Sequence, residues 1–125
     1  MDRESWIGCD LDGTLAEYHG WEEGIGPPIP VMLERVKKWL SEGREVRIFT
    51  ARASRLNDHP DKLIAEVGEW CRRHIGQVLQ VTCEKDFQME SLWDDRAVQV
   101  IHNTGCTVQS LVPEGIRRLV NLDSE

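Results

Sequence analysis

A short apolar run that ends in two closely spaced carboxylates is the feature that most constrains how this chain can fold. The run Trp-Ile-Gly-Cys at 6–9 is followed by Asp10 and Asp12, one residue apart, and then by Gly13 and Thr14. An apolar run of this length that passes into a Gly-Thr turn is typical of a buried strand. The sequence therefore predicts a strand whose carboxyl end carries charge where a sheet meets solvent.

The two carboxylates of this turn suit phosphoryl transfer. Residues two apart on a strand share a face, but a turn at 11–12 would leave Asp10 at the strand tip and fold Asp12 back above it. One carboxylate could then attack a phosphorus atom while the other carries a proton to or from the leaving oxygen. A plain solvated turn stays open as an alternative. A calcium loop is disfavoured, because Thr14 and Ala16 stand where it would need further oxygen ligands.

Helical and strand-like patterns alternate after this turn. Apolar residues recur on one helical face between Pro30 and Gly43, and again between about Asp58 and Gly76, where proline and glycine suit helix starts and stops. The remaining apolar runs predict further strands, an edge strand and a last helix, in this order: 45–50, 78–82, 91–93, 98–101, 107–112 and 113–122. Such alternation predicts an α/β protein, a three-layer Rossmann-like fold with a mostly parallel central sheet of about five strands.

Composition bounds the class of protein. A chain of 125 residues with 40% apolar content can bury one core, so we expect a single domain over 1–125. The net charge of −7 argues against a general nucleic-acid-binding surface. Four cysteines without Cys-x-x-Cys spacing favour reduced core thiols. Because no apolar run approaches the roughly 20 residues of a membrane span, and no export signal is visible, we expect a cytoplasmic protein without a membrane partner.

Residues 16–30 contain three glycines and three prolines, a density that opposes a regular helix or strand. We therefore expect a flap loop beside the mouth of the site, with a small hairpin as one form of it. Two aromatic residues of this loop, Tyr18 and Trp21, either stack on a substrate or pack the loop onto the body of the protein. The second role is the more common one for loop aromatics.

Polar side chains follow the predicted strands at their carboxyl ends: Asp10 and Asp12, Thr50, Lys85, and Asp94 with Asp95. Ligands of open α/β sheets lie beyond these ends. Alone, each side chain has an ordinary explanation as a helix cap, a solvated loop charge or an acidic turn. Together they favour one site.

Converging carboxylates would repel by about 4 kcal/mol per close pair when the effective dielectric constant is about 20. A cation would offset this repulsion, and oxygen-only ligands favour Mg²⁺ over zinc as that ion.

The order Asp-x-Asp, Thr, Lys and Asp-Asp, with Asp-Leu-Asp-Gly-Thr-Leu at 10–15, resembles the four motifs of the haloacid dehalogenase-like (HAD) superfamily of phosphotransferases. The resemblance spans about residues 6–96 and implies a Mg²⁺-dependent phosphomonoester hydrolase. It implies that Asp10 is the nucleophile that forms an aspartyl-phosphate and that Asp12 is the general acid and base. Thr50 would hydrogen-bond the transferring phosphoryl group, and Lys85 would neutralise it.

The same resemblance implies a metal site and a substrate class. Asp94 would bind Mg²⁺ with Asp10 and the backbone carbonyl of Asp12, and Asp95 would help directly or through water. Arg52 either reaches a remote anionic group of the substrate or is a solvated charge at a helix start. Trp93 departs from the pattern, since many members have glycine there. The partner is expected to be a phosphorylated small molecule or an exposed phosphate on a larger one.

The chain has no room for the large cap domain of many superfamily members, so substrate choice would fall to the flap, to a neighbouring subunit of a homo-oligomer or to the bulk of the substrate. Two other classes stay open. A receiver-like signalling domain has a similar length and acidic pair, but its phosphorylated Asp would end a strand shortly before Thr50, and none stands there. The second open class is a non-catalytic module that only binds Mg²⁺ and phosphate.

Overall fold

The computed structural model describes residues 5–108. Two compact units divide at Asp95 and Arg96, and the single domain expected for 1–125 stays a prediction. The first unit contains two helices and four strands: β1 (Trp6–Asp10), α1 (Pro30–Ser41), β2 (Glu45–Phe49), α2 (Pro60–His74), β3 (Val81–Thr82) and β4 (Met89–Trp93). Single turns of 3-10 helix lie at Trp21–Glu23 and Ala51–Ala53. The chain is therefore an α/β protein.

The four strands form one parallel sheet in the order β3-β2-β1-β4. β1 lies inside the sheet and pairs with β2 along its whole length, so that Asp10 stands opposite Phe49. On its other side Cys9 stands opposite Trp93 of β4. Because neighbouring strands run in the same direction, Asp10, Thr50 and Asp94 are brought to the same edge of the sheet.

β1 and the turn after it form the centre of the hydrophobic core. Ile7, Cys9, Leu11 and Leu15 are all buried. The helices add the apolar faces predicted from their 3.6-residue period, chiefly Met32 and Val36 from α1 and Val67, Trp70 and Cys71 from α2. Burying each large aliphatic side chain contributes roughly 1.5–3 kcal/mol. The residues that carry the carboxylates are therefore attached to the best-packed part of the unit.

The helix boundaries confirm the predictions from proline and glycine. α1 and α2 each begin at a proline, whose fixed φ and missing N–H suit the first helical position. Gly43 and Gly76 follow the helices with φ of 81° and 100°, the left-handed conformation that ends many helices and favours glycine.

The prediction of a fifth strand is wrong within residues 5–108. The segment 98–101 forms no strand of the sheet, because its backbone is used locally: Ile101 donates to Cys106, Val108 donates to Gln99, and Val100 bridges Thr107. The third strand is also shorter than predicted, since residues 78–80 lead from the end of α2 to the sheet. Most of the predicted edge strand at 107–112 and all of the helix at 113–122 lie outside the described residues.

The predicted core thiols are found for two of the four cysteines. Cys9 and Cys71 are buried, whereas Cys83 and Cys106 are exposed, and all four are free. No helix within residues 5–108 is both long and apolar enough to cross a bilayer.

The flap loop is closed at its base by main-chain hydrogen bonds. Ala16 bridges Pro28, and the Glu17 amide donates to the Pro27 carbonyl at 2.9 Å. The indole N–H of Trp70 donates to the Gly26 carbonyl at 2.9 Å. The segment between these contacts is a small loop with an antiparallel neck, which is one of the forms expected from the sequence.

The neck leaves no space for a side chain at Gly26, where a Cβ would lie 2.2 Å from the Glu17 carbonyl oxygen. We expect Gly26→Ala to lower the free energy of unfolding by about 1–3 kcal/mol, the usual cost of overpacking, measured by urea denaturation. Gly68→Ala in α2 is the control, because a Cβ there would lie 3.5 Å from Val78 and alanine favours the helix by up to about 1 kcal/mol. Equal stability of Gly26→Ala and the parent protein would contradict the close contact.

Candidate active site

Three carboxylates converge at the carboxyl edge of the sheet. Asp10 ends β1, and Asp94 and Asp95 follow β4 directly. Each offers one oxygen atom, and these atoms all lie within 4.8 Å of one another. Asp10 and Asp94 are half-buried, while Asp95 is exposed. The adjacency of two parallel strands thus unites acidic residues that are more than eighty positions apart in the sequence.

The turn after β1 is shaped around this cluster. The Thr14 hydroxyl oxygen lies 3.3 Å from a carboxylate oxygen of Asp10 and 3.3 Å from one of Asp95, and it accepts the Asp95 amide at 3.0 Å. Gly13 has φ of 88°, and a Cβ there would lie 2.4 Å from Asp95 Oδ2. The Leu11 carbonyl accepts the amides of Leu15 and Ala16, which closes the turn. Glycine is therefore needed at 13 because a side chain would collide with Asp95, and threonine at 14 supplies the hydroxyl that bridges Asp10 and Asp95.

Burial, together with the neighbouring carboxylates, raises the pKa of Asp10 from 3.8 to about 7. Burial is the largest cause, followed by a hydrogen bond with the Asp95 side chain and by repulsion from the charges of Asp94 and Asp95. Each of these effects disfavours the ionised carboxylate. Without a cation, the site therefore favours a proton on Asp10 close to neutral pH.

Asp12 does not point into the acidic cluster but is bound by Arg52. Two guanidinium nitrogens of Arg52 donate to the two Asp12 carboxylate oxygens at 2.8 and 2.9 Å. The Arg52 side chain is 4% exposed and that of Asp12 is 22% exposed. This bidentate geometry fixes the orientation of the Asp12 carboxylate more tightly than a single hydrogen bond would.

Arg52 also connects the site to the flap loop. Its guanidinium carbon lies 4.7 Å from the centre of the Trp21 ring, a cation–π contact. By contacting the arginine that holds Asp12, Trp21 packs its loop onto the body of the unit, which is the more common role of loop aromatics. The other face of the residue remains open to solvent, since Trp21 is 54% exposed. The solvated role considered for Arg52 is wrong, because its side chain is 4% exposed, and its contact with an anionic group of a substrate stays a prediction.

Thr50 is buried beside the same arginine. Its hydroxyl oxygen accepts the Arg52 amide at 3.1 Å, which caps the short 3-10 helix at Ala51–Ala53. The hydroxyl proton is not used by that contact. Lys85 lies in the loop after β3 and is exposed, and among residues 5–108 it makes no hydrogen bond or ion pair. The structure thus brings Asp10, Asp94 and Asp95 into one cluster. Thr50 and Asp12 both contact Arg52. Lys85 contacts none of these residues.

The sequence alone did not reveal the roles of Thr14 and Gly13 or the partner of Arg52. The pair Gly-Thr after the acidic residues was visible, but only the packing of β4 against β1 shows what the hydroxyl bridges. No sequence signal connects Arg52 with Asp12, since the two are forty positions apart. The donor set itself fits a hard divalent cation, because three carboxylate oxygens are already close and no sulfur or imidazole is among them.

The fold is similar to that of a conserved protein coded by a locus of Bacteroides thetaiotaomicron. The two structures align with a TM-score of 0.54 and 21% sequence identity, over 95% of this chain and 91% of that chain. At this identity the likeness shows the fold alone. No protein-family model matches the chain, and no curated protein matches it. Membership of the HAD superfamily stays a prediction from sequence.

Removing the charge of Asp10 should stabilise the metal-free protein at high pH. Because the native pKa is above the unfolded value, the native state binds a proton more tightly, and this stabilisation is lost as pH rises from about 4 through 7. We expect Asp10→Asn to be more stable than the parent at pH 8 by roughly 1–2 kcal/mol, a value discounted because the carboxyl is only half-buried. The difference should be smaller at pH 5 than at pH 8, because part of the stabilisation by the proton remains there.

Urea denaturation in the presence of a chelator, at pH 5 and pH 8, measures this effect. Asp58→Asn serves as the control, because Asp58 is exposed and lies outside the cluster. Addition of Mg²⁺ at pH 8 should stabilise the parent more than Asp10→Asn. If the stability of Asp10→Asn and that of Asp58→Asn depended on pH in the same way, the convergence of charge on Asp10 would be refuted.

The Asp12–Arg52 pair should show strong energetic coupling. In a double-mutant cycle with Asp12→Ala and Arg52→Ala, we expect a coupling free energy of about 1–3 kcal/mol, because each single variant leaves a charged partner unsatisfied in a poorly solvated place. The Arg55–Asp61 pair has the same 2.8 Å separation but is 69% and 86% exposed, so its coupling should be below about 0.5 kcal/mol. Equal coupling in the two cycles would contradict the burial of Arg52.

Proposed function

We propose that the first unit is a Mg²⁺-dependent phosphomonoester hydrolase that acts through an aspartyl-phosphate on Asp10, carried by a three-layer Rossmann-like scaffold. The observation that carries the proposal is the convergence of Asp10 with Asp94 and Asp95 at the carboxyl edge of a parallel sheet, with Asp12 two residues from the nucleophile. The resemblance of these residues to the HAD motifs supports the same chemistry.

Asp10, Asp94 and Asp95 would hold the ion, with the backbone carbonyl of Asp12 as a further ligand. When bound, Mg²⁺ would offset the carboxylate charges and attract a dianionic phosphate that the cluster would otherwise repel. Binding of the ion also favours the ionised form of Asp10, which is the form that can attack phosphorus.

In the first step, a carboxylate oxygen of Asp10 forms a bond to phosphorus while the bond from phosphorus to the alcohol oxygen breaks. Asp12 gives its proton to that departing oxygen, so the alcohol leaves neutral. Each carboxylate oxygen has a second lone pair, so Asp12 can carry a proton while Arg52 still holds it. Arg52 thus orients the acid without blocking it.

In the second step, Asp12 removes a proton from water and the water oxygen attacks phosphorus. The bond between phosphorus and Asp10 breaks, which releases inorganic phosphate and restores the Asp10 carboxylate, while the proton taken from water restores Asp12 as the acid. The Thr50 hydroxyl would donate to a phosphoryl oxygen, and Lys85 would neutralise charge on the phosphoryl group. The substrate would be a phosphorylated small molecule or an exposed phosphate, and a cytoplasmic location stays a prediction.

Phosphate release from p-nitrophenyl phosphate tests the proposal. We expect Mg²⁺-dependent turnover that is abolished by a chelator and reduced by about 10³-fold or more in Asp10→Asn, because this variant lacks the nucleophile. Asp58→Asn should retain the parent activity. Undiminished turnover in Asp10→Asn would overturn the proposal. Mg²⁺-dependent stabilisation without turnover on a broad panel of phosphate esters would favour a binding module instead, and a lasting phosphoryl label from acetyl phosphate would favour a receiver-like domain.

A further inference from the structure

A cavity of about 360 Å³ opens beside the acidic cluster. One end is formed by Gly13, Thr14, Asp94 and Asp95, which belong to the candidate active site. The rest of the lining comes from the start of α1 and from the end of β4: Ile29, Val31, Met32, Arg35 and Trp93. A group bound at the carboxylates would therefore have the rest of its molecule beside these residues.

Arg35 is the cation of this cavity. Its guanidinium donates to the Met32 sulfur at 3.5 Å and lies 5.4 Å from the centre of the Trp93 ring. Among residues 5–108, no carboxylate forms an ion pair with it. A thioether is a weak acceptor, so most of the five guanidinium donors remain available to an anion.

The wall that carries Arg35 is held in place before any ligand binds. The Trp93 ring packs against that of Trp39 in α1, with 5.1 Å between ring centres. Met32 is buried in the core. Trp93 replaces the glycine found in many HAD proteins, and in this chain its ring supports the cavity wall rather than closing the cluster.

Size and charge together define the ligand. The volume is near the lower end of the roughly 300–1,000 Å³ that small-molecule sites occupy, so the site fits a compact molecule rather than a protein segment. The acidic residues of the lining require a phosphate with its cation, and the rest of the lining is apolar apart from one arginine. Arginine pairs with planar carboxylates and with phosphates through two parallel hydrogen bonds.

We propose that this cavity binds the leaving group and selects small phosphomonoesters that carry a second anionic group, which Arg35 binds. The inference rests on the proposed function, because it assigns the rest of the substrate whose phosphate Asp10 attacks. It also gives a chain with a net charge of −7 a way to retain a doubly anionic substrate, since the ion and Arg35 each offset one of its charged groups.

Two probes of similar size test the proposal: 3-phosphoglycerate, which has a carboxylate, and glycerol 3-phosphate, which has a hydroxymethyl group in its place. We expect the KM of the parent protein for 3-phosphoglycerate to be lower by about tenfold, because a hydrogen-bonded charge pair is added. Arg35→Gln and Arg35→Ala should remove this preference. Arg35→Lys should restore part of it. Lys37→Ala, an exposed change on the same helix, should keep the parent preference.

Calorimetric binding of both probes to Asp10→Asn with Mg²⁺ separates this inference from the proposed function, because it needs no turnover. Tighter binding of 3-phosphoglycerate that is lost in the Asp10→Asn, Arg35→Gln double variant would support the subsite even if the protein hydrolysed nothing. Hydrolysis of both probes with equal KM, unaffected by the Arg35 variants, would overturn the subsite and leave the hydrolase standing. Equal affinity of Asp10→Asn for both probes would overturn it as well.

Discussion

Repulsion among three carboxylates at one edge of the sheet is the interaction on which the rest of the site depends. β1 is paired on both sides and its neighbours are buried in the core, so the backbone of Asp10 is held beside the end of β4. The core therefore maintains an arrangement that is unfavourable by itself. Burial of Asp10 and, to a smaller extent, this repulsion raise its pKa, and a bound proton or cation reduces the energetic cost of the arrangement.

The second constraint is the buried guanidinium of Arg52. A charge that is removed from water needs a partner with good geometry, and the bidentate contact with Asp12 supplies it. Trp21 covers the same guanidinium from the flap loop. The orientation of the expected acid and base is therefore linked to a loop whose neck is fixed by main-chain hydrogen bonds. The acidic cluster and the Asp12–Arg52 pair thus lie side by side but are stabilised by different forces.

Local chemistry made much of the fold predictable. The limits of α1 and α2 could be predicted from the proline at the start of each helix and the glycine after its end. Both residues act through their own backbone, independently of the rest of the chain. The segment 98–101 shows the limit of such patterns. Its alternation of apolar and polar residues is typical of a strand, but strand pairing depends on a partner, and Ile101 and Val108 find theirs within the same short segment.

The sequence by itself determined that acidic residues stand at strand ends, because the strand pattern and the position of the carboxylates are both local features. It therefore predicted that Asp10, Asp94 and Asp95 come together once a parallel sheet was expected, but it placed Lys85 in the same site, and Lys85 contacts none of them. Only the tertiary structure decided that Arg52 binds Asp12 and that Thr14 bridges Asp10 and Asp95. Side-chain partners that are distant in sequence depend on the register of strands and the packing of loops, and neither is encoded in any single stretch of residues.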